Sequence, residues 1–223
     1  MINVSPVPSS LVTDSWVAAT WEMFLAIASQ PQFEQARCYY DAGWMRIETM
    51  PIGSGHGQDN SILAAVVSLY GTLRNVAYVS FTGSSFRKTG ERECQPDLAY
   101  YIGATGIGTT ELQRPTKNSQ PVDVETWGPP TLAVEIASTT LNDDLGQKRL
   151  LYERLGVAEY WVVSVETATV IAFKIANRGS FQIDASEVLP GLAIATIEEA
   201  LRRSQTEDDG AVNRWLLQQF SLG

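Results

Sequence analysis

The chain has 223 residues, 44% hydrophobic and 18% charged, which excludes a disordered polymer and fits one large domain able to bury a core without staples. Its formal net charge of −9 argues against a free monomer that grips phosphate backbones tightly and nonspecifically, since such proteins usually carry a basic face. Two cysteines, Cys38 and Cys94, do not make a disulfide framework, so a reducing cytoplasm is the expected compartment.

Residues 1–12 begin with a Pro/Ser-rich stretch and are expected to form a loose arm ahead of one domain spanning 13–223. Met1–Ser10 lacks the basic and apolar regions of a signal peptide, and no apolar run approaches a membrane span. Asp14 or Ser15 is placed to cap a helix through Trp16, Ala19, Phe24 and Ile27, which Pro31 stops. Strands Arg37–Tyr40 and Trp44–Glu48 flank the turn signal Asp41-Ala42-Gly43 and read as a hairpin. Pro51–Gly57 reads as a loop. The helical recurrence of Ile62, Val66, Leu69 and Leu73, widened by Leu63, Val67 and Tyr70, predicts a buried helix over about 58–75. Strands are expected at 76–81 and 96–102, then a Gly/Thr/Pro-rich excursion over 103–130. Thr131–Ala137 is an apolar strand broken only by Glu135, and Leu141–Gly156 is a helix with Gly156 as its stop. Strands at 159–165, 170–175 and 180–184 precede a helical segment through 197–203 and a last short helix through Trp215 and Leu217.

Glu135 sits inside Leu132-Ala133-Val134-Glu135-Ile136-Ala137, a run of the kind buried on both faces of an α/β sheet. A carboxylate there costs several kcal/mol unless it is paired or bound to a metal. An edge position or a simple ion pair is the bland reading. Two other residues weigh against it. Asp97, just after Pro96, breaks a second apolar strand in the same way. Lys148 shares one helix face with Leu141, Leu145, Tyr152 and Leu155, which should pack on the sheet. It either snorkels to solvent or points at the end of the strand that carries Glu135. Two acids and a lysine suit metal-assisted phosphodiester hydrolysis: hard oxygens for Mg²⁺, and an ammonium for developing negative charge.

Pro96-Asp97, Pro130-Thr131 through Ala137-Ser138, Asp144-Leu145-Gly146-Gln147-Lys148, Tyr152 and Gly156-Val157 through Val162-Val163 stand in an order and spacing that resembles the Uma family of restriction endonucleases, within the PD-(D/E)XK nuclease superfamily. Asp41-Ala42-Gly43-Trp44, Met50-Pro51 with His56, and Pro190-Gly191-Leu192 extend the resemblance over about 37–200. It implies a restriction-endonuclease-like α/β fold: a central mixed β-sheet flanked by helices, with an N-terminal hairpin and long helix and a C-terminal helical segment. It also implies Mg²⁺, or Mn²⁺ as substitute, bound by Asp97 and Glu135. The superfamily's lysine two residues after the strand Glu is absent, the position being Ala137, an absence that Uma-type sequences share; Lys148 on the next helix looks like the migrated replacement. Glu48 and Asp41 are candidates for a further acidic ligand, set against solvated hairpin positions. His56, the one histidine, is a site neighbour able to shuttle protons, or else a cap or packed residue. Tyr152 either hydrogen-bonds in the site or fills the core.

Other signals fail on chemistry. Gly103–Thr110 has the glycines of a phosphate-binding loop but Thr109 where the lysine belongs. There is no G-x-S-x-G elbow, and two cysteines with one histidine cannot build a structural zinc site. The leading expectation is a metal-dependent endonuclease acting on DNA. The alternative is a catalytically inactive restriction-endonuclease-like fold used as a nucleic-acid or protein interaction module, favoured by the acidic balance and by Ala137. A third reading, a Mg²⁺-dependent hydrolase of a smaller phosphate ester, would need a closed cleft. A homodimer is expected by analogy with nucleases that cut both strands, with Glu159-Tyr160-Trp161 and Trp215-Leu216-Leu217 as possible partner surfaces.

Overall fold

A computed structural model describes residues 12–49, 51–103 and 112–221. Strand β1 (Val17–Ala18) and helix α1 (Trp21–Ala28) lead to the hairpin β2 (Arg37–Asp41) and β3 (Trp44–Glu48). Helix α2 (Ser54–Leu73) follows, then β4 (Tyr78–Thr82), a short hairpin of β5 (Phe86–Lys88) and β6 (Arg92–Cys94), and β7 (Leu98–Ile102). After β8 (Val122–Asp123) and α3 (Val124–Trp127) come β9 (Leu132–Ala137), α4 (Leu141–Asp143), a π-helical turn Asp144–Lys148 and α5 (Arg149–Leu155). Strands β10 (Glu159–Ser164), β11 (Thr169–Ala176) and β12 (Gly179–Ile183) complete the sheets, and α6 (Ile194–Ser204) and α7 (Asp209–Ser221) follow.

The strands form two mixed sheets of six, in the orders β1-β3-β2-β6-β5-β8 and β12-β11-β10-β9-β7-β4. In the second, β9 pairs parallel with β10 and antiparallel with β7, so it lies inside the sheet. That position explains its unbroken apolar character: all six residues are buried. The α4–α5 segment is the crossover that a parallel β9–β10 pair requires. On the opposite face, Ile62, Leu63, Val66 and Val67 of α2 are at most 1% exposed and pack with Leu132, Val134 and Ile136, each burial stabilising by about 2 kcal/mol. The first sheet alternates cleanly. Cys38, Tyr40, Met45 and Ile47 pack on Phe24 and Ile27 of α1, which turns Arg37, Tyr39, Asp41, Arg46 and Glu48 to the other face.

Several local expectations are corrected. Residues 17–18 pair with β3, so the first helix starts at Trp21, capped by Thr20 Oγ1, which accepts from the Met23 amide at 3.2 Å. Asp14 caps nothing. Its carboxylate accepts from the Thr49 amide and hydroxyl, both at 3.1 Å. Helix α2 begins at Ser54, four residues earlier than the apolar stripe indicates, and His56 lies in its first turn. The β5–β6 hairpin was not legible, because its strands are three residues long and largely charged. The 141–156 helix is interrupted at Gly146 (φ −102°, ψ −106°), and Gly156 ends it in the left-handed region at φ 91°. Residues 1–11 of the expected arm and 104–111 of the excursion lie outside the described residues.

Candidate active site

Glu135 projects from β9 towards α5, on the face shared by Ala133 and Ala137. Asp97 immediately precedes β7, whose Leu98 pairs with Val134, and one more step of that register sets Asp97 opposite Glu135. Directly opposed carboxylates repel, so the pair requires a proton or a cation.

Asp97 is 2% exposed. Its Oδ2 accepts from the Ile136 amide at 2.7 Å, while Oδ1 faces Arg37 Nη2 and, at 3.0 Å, His56 Nε2. Burial alone would raise its pKa. The His56 hydrogen bond and the Arg37 charge outweigh burial and hold the carboxyl below its usual range. Glu135 is 1% exposed; Tyr152 donates to Oε1 at 2.6 Å, Tyr39 Oη lies 3.2 Å from the same atom, and Lys148 Nζ is 3.9 Å from Oε2. Burial dominates here. The Lys148 charge offsets it only in part, Asp144, Asp97 and Glu48 add to it, and the pKa is pushed up to about 8. Without a cation, Glu135 therefore keeps its proton at neutral pH. Proton counting agrees: the Tyr39 phenol has one hydrogen and also lies 3.0 Å from the Gln95 carbonyl, a pure acceptor, so a protonated Glu135 can donate to Tyr39 in turn.

Lys148 does not snorkel. It is 1% exposed, its Nζ is 2.9 Å from both Glu48 Oε1 and Asp144 Oδ1, and it stands 4.3 Å from the centre of the Tyr39 ring. Burial opposes its charge, but the Glu135, Asp144 and Glu48 carboxylates win and raise its pKa. The π-helical turn carries both Asp144 and Lys148 into this cluster, and Thr140 Oγ1 donates to Asp144 Oδ2 at 2.6 Å. Burial raises the Asp144 carboxyl, with Lys148 offsetting it in part.

Arg37, Glu48, His56, Asp97, Glu135 and Lys148 line one cavity of about 370 Å³, which reaches the surface between the exposed Pro51, Ile52, Ser138 and Thr139. The structure thus brings together the anticipated Asp97, Glu135, Lys148, Glu48 and His56, with Tyr152 supporting Glu135 from α5. Asp41 is not among them. It is 2% exposed and pairs with Arg92 Nε at 3.1 Å and with Arg154 Nη1, pinning the hairpin to β6 and α5. Arg37, Tyr39 and Asp144 were missed by sequence reasoning. For the first two, the alternation of β2 was the available signal: apolar Cys38 and Tyr40 on one face leave a charge and a phenol on the other. Asp144 carried the i, i+4 spacing to Lys148. Glu159, Tyr160 and Trp161 are at most 1% exposed and offer no partner surface; Trp161 Nε1 donates to Glu159 at 3.0 Å. Leu216 is also buried within the chain.

Among the described residues, no group of three or more His, Cys, Asp or Glu side chains is disposed as a complete metal cage. Mg²⁺ does not need one. It keeps several waters and is commonly held by one or two carboxylates together with substrate oxygens. Two opposed carboxylates on a solvent-connected cavity fit that pattern, and the raised Glu135 fits a group whose charge awaits a cation. No helix among the described residues is long and apolar enough to cross a membrane.

No curated protein matches the chain. Among solved structures, "a putative nuclease belonging to DUF820" from Anabaena variabilis ATCC 29413 is similar, with a TM-score of 0.54, 16% identity, and coverage of 82% of this chain and 99% of that one. At that identity the likeness shows a shared fold. The Uma2 family model, described as "putative restriction endonuclease", matches residues 21–212, and the chain belongs to that family.

Proposed function

We propose that the protein is a metal-dependent endonuclease that hydrolyses DNA phosphodiester bonds, with Asp97 and Glu135 holding Mg²⁺ and Lys148 as the cationic partner. The observation that carries this reading is the pair of buried, opposed carboxylates with Lys148 Nζ 3.9 Å from Glu135 on a cavity open to solvent. A bound Mg²⁺ would lower the pKa of its water and polarise the phosphoryl group. Lys148, fixed by Glu48 and Asp144, places a permanent positive charge where negative charge develops. His56 orients Asp97, and Tyr152 orients Glu135. The cavity reaches the surface at the exposed Ile52 and Ser138, so it is not sealed around a small ester.

The alternative, an inactive interaction module, is favoured by a specific observation: Arg37 already pairs with Asp97, and His56 Nε2 occupies the same oxygen at 3.0 Å. Calorimetric titration of Mn²⁺ into the wild type and Glu135→Gln separates the two. A one-site isotherm lost in the variant, followed by Mn²⁺-dependent nicking of plasmid DNA, is the expected result. Identical weak isotherms would remove the metal site and leave the module.

A further inference from the structure

We infer that Arg37 binds the phosphate of the nucleic-acid backbone at this site, an assignment that rests on the nuclease reading above. The cations around the cavity differ in what they have left to offer. Lys148 is 1% exposed and held by Glu48 and Asp144. Arg46 is 3% exposed, donates from Nε to Glu48 at 2.7 Å, and turns Nη1 to the Asp14 carbonyl and the Asp143 carboxylate. His56 Nε2 is committed to Asp97. Arg37 differs. Its side chain is 19% exposed, it lines the cavity, and among the described residues only its Nη2 has a partner, Asp97.

A guanidinium carries five N–H donors in a planar fork that matches two phosphate oxygens. With Nη2 on Asp97, Arg37 keeps further donors on the cavity that Asp97 and Glu135 also line. Asp14, Glu48, Asp97, Glu135 and Asp143 also line the cavity, and they hold Arg46, Lys148 and His56 there in the contacts just given. Among the described residues of the cavity, Arg37 is therefore the cation with donors to spare for an anionic substrate entering a chain of net charge −9. The same ion pair ties phosphate and metal together. A divalent cation held by Asp97 would compete with Arg37 for that carboxylate's charge and would leave the guanidinium freer to turn towards the phosphate.

The test is fluorescence anisotropy with a 20-base-pair duplex of random sequence in Ca²⁺, a hard cation with the same oxygen preference. It is run across a salt series on wild type, Arg37→Met and Arg37→Gln; the second variant keeps an N–H for Asp97 should the first fail to fold. Loss of one phosphate contact is expected to weaken binding roughly ten- to hundred-fold and to flatten the slope of log K against log salt by about one. A merely structural role would not move that slope. Mn²⁺ calorimetry on the same variants should show the one-site isotherm retained or tightened. DNA binding by the wild type with an unchanged slope in both folded variants overturns the assignment of Arg37 alone. No DNA binding by the wild type overturns the nuclease reading and this assignment with it.

Discussion

Replacing Glu135 by glutamine should make the cation-free protein more stable at alkaline pH and leave it little changed at acid pH. Burial pushes the Glu135 carboxyl up to about 8 from an ordinary value of 4.5. Between those limits the unfolded chain has released a proton that the folded chain still holds, so stability falls as pH rises. The fall is about 1.4 kcal/mol per pH unit and reaches about 5 kcal/mol once the pH exceeds the folded value. Glutamine is neutral in both states and carries no such slope. Its amide oxygen can still accept from Tyr152 Oη at the Oε1 position, with its NH₂ at the Oε2 position, 3.5 Å from Tyr39 Oη. The assay is urea denaturation in chelator from pH 5 to pH 9, read as the difference between wild type and variant, so that Asp144, Asp97 and Lys148 cancel. The two proteins should agree within about 1 kcal/mol near pH 5 and diverge steadily, with the variant the more stable by several kcal/mol at pH 9. A flat difference over the whole range would refute the account of Glu135 as a buried, protonated acid.

Saturating divalent cation should narrow that gap: at a hundred times its dissociation constant, Mn²⁺ stabilises a one-site protein by about 2.7 kcal/mol, seen as a raised denaturation midpoint in the wild type and none in Glu135→Gln. Lys148→Met should abolish DNA cleavage while lowering stability by about 3 kcal/mol or more, because Glu48 and Asp144 lose a shared partner at 2.9 Å; plasmid nicking and urea denaturation check the two effects. Asp41→Asn should cost about 2 kcal/mol, since Arg154 is 46% exposed and can turn to water, and should leave the Mn²⁺ isotherm intact because Asp41 stands apart from the cavity.

Much of this site was legible in one dimension because apolar surroundings make a charge conspicuous. Glu135 inside a six-residue apolar strand, Asp97 at the head of another, and Lys148 on the apolar face of a helix each violate a periodic pattern, and each violation marked a residue of the cavity. The same logic misled where charge is dense. Asp41, with its turn signal Ala42-Gly43, resembled a solvated hairpin acid or a ligand, and is instead buried under Arg92 and Arg154, which lie 51 and 113 residues away in sequence. Tyr160 and Trp161 suggested an interface because aromatic residues at surfaces often mean one, yet β10 lies inside the second sheet and buries both.

The sequence by itself determined the alternation of β2 and β3, the apolar stripe of α2, the fully buried strand β9, and Glu135, Asp97 and Lys148 as ionisable residues that break apolar runs, because periodicity records which side of an element meets water. Only the tertiary structure decided what those residues meet. The pairing of β7 with β9 set Asp97 against Glu135, a turn opened at Gly146 carried Asp144 and Lys148 into the cluster, and a separate sheet brought Arg37 to the cavity and Tyr39 against Glu135. Register, helix irregularity and the approach of distant strands are long-range choices, and a carboxylate's pKa depends on that long-range surrounding rather than on its neighbours in the chain.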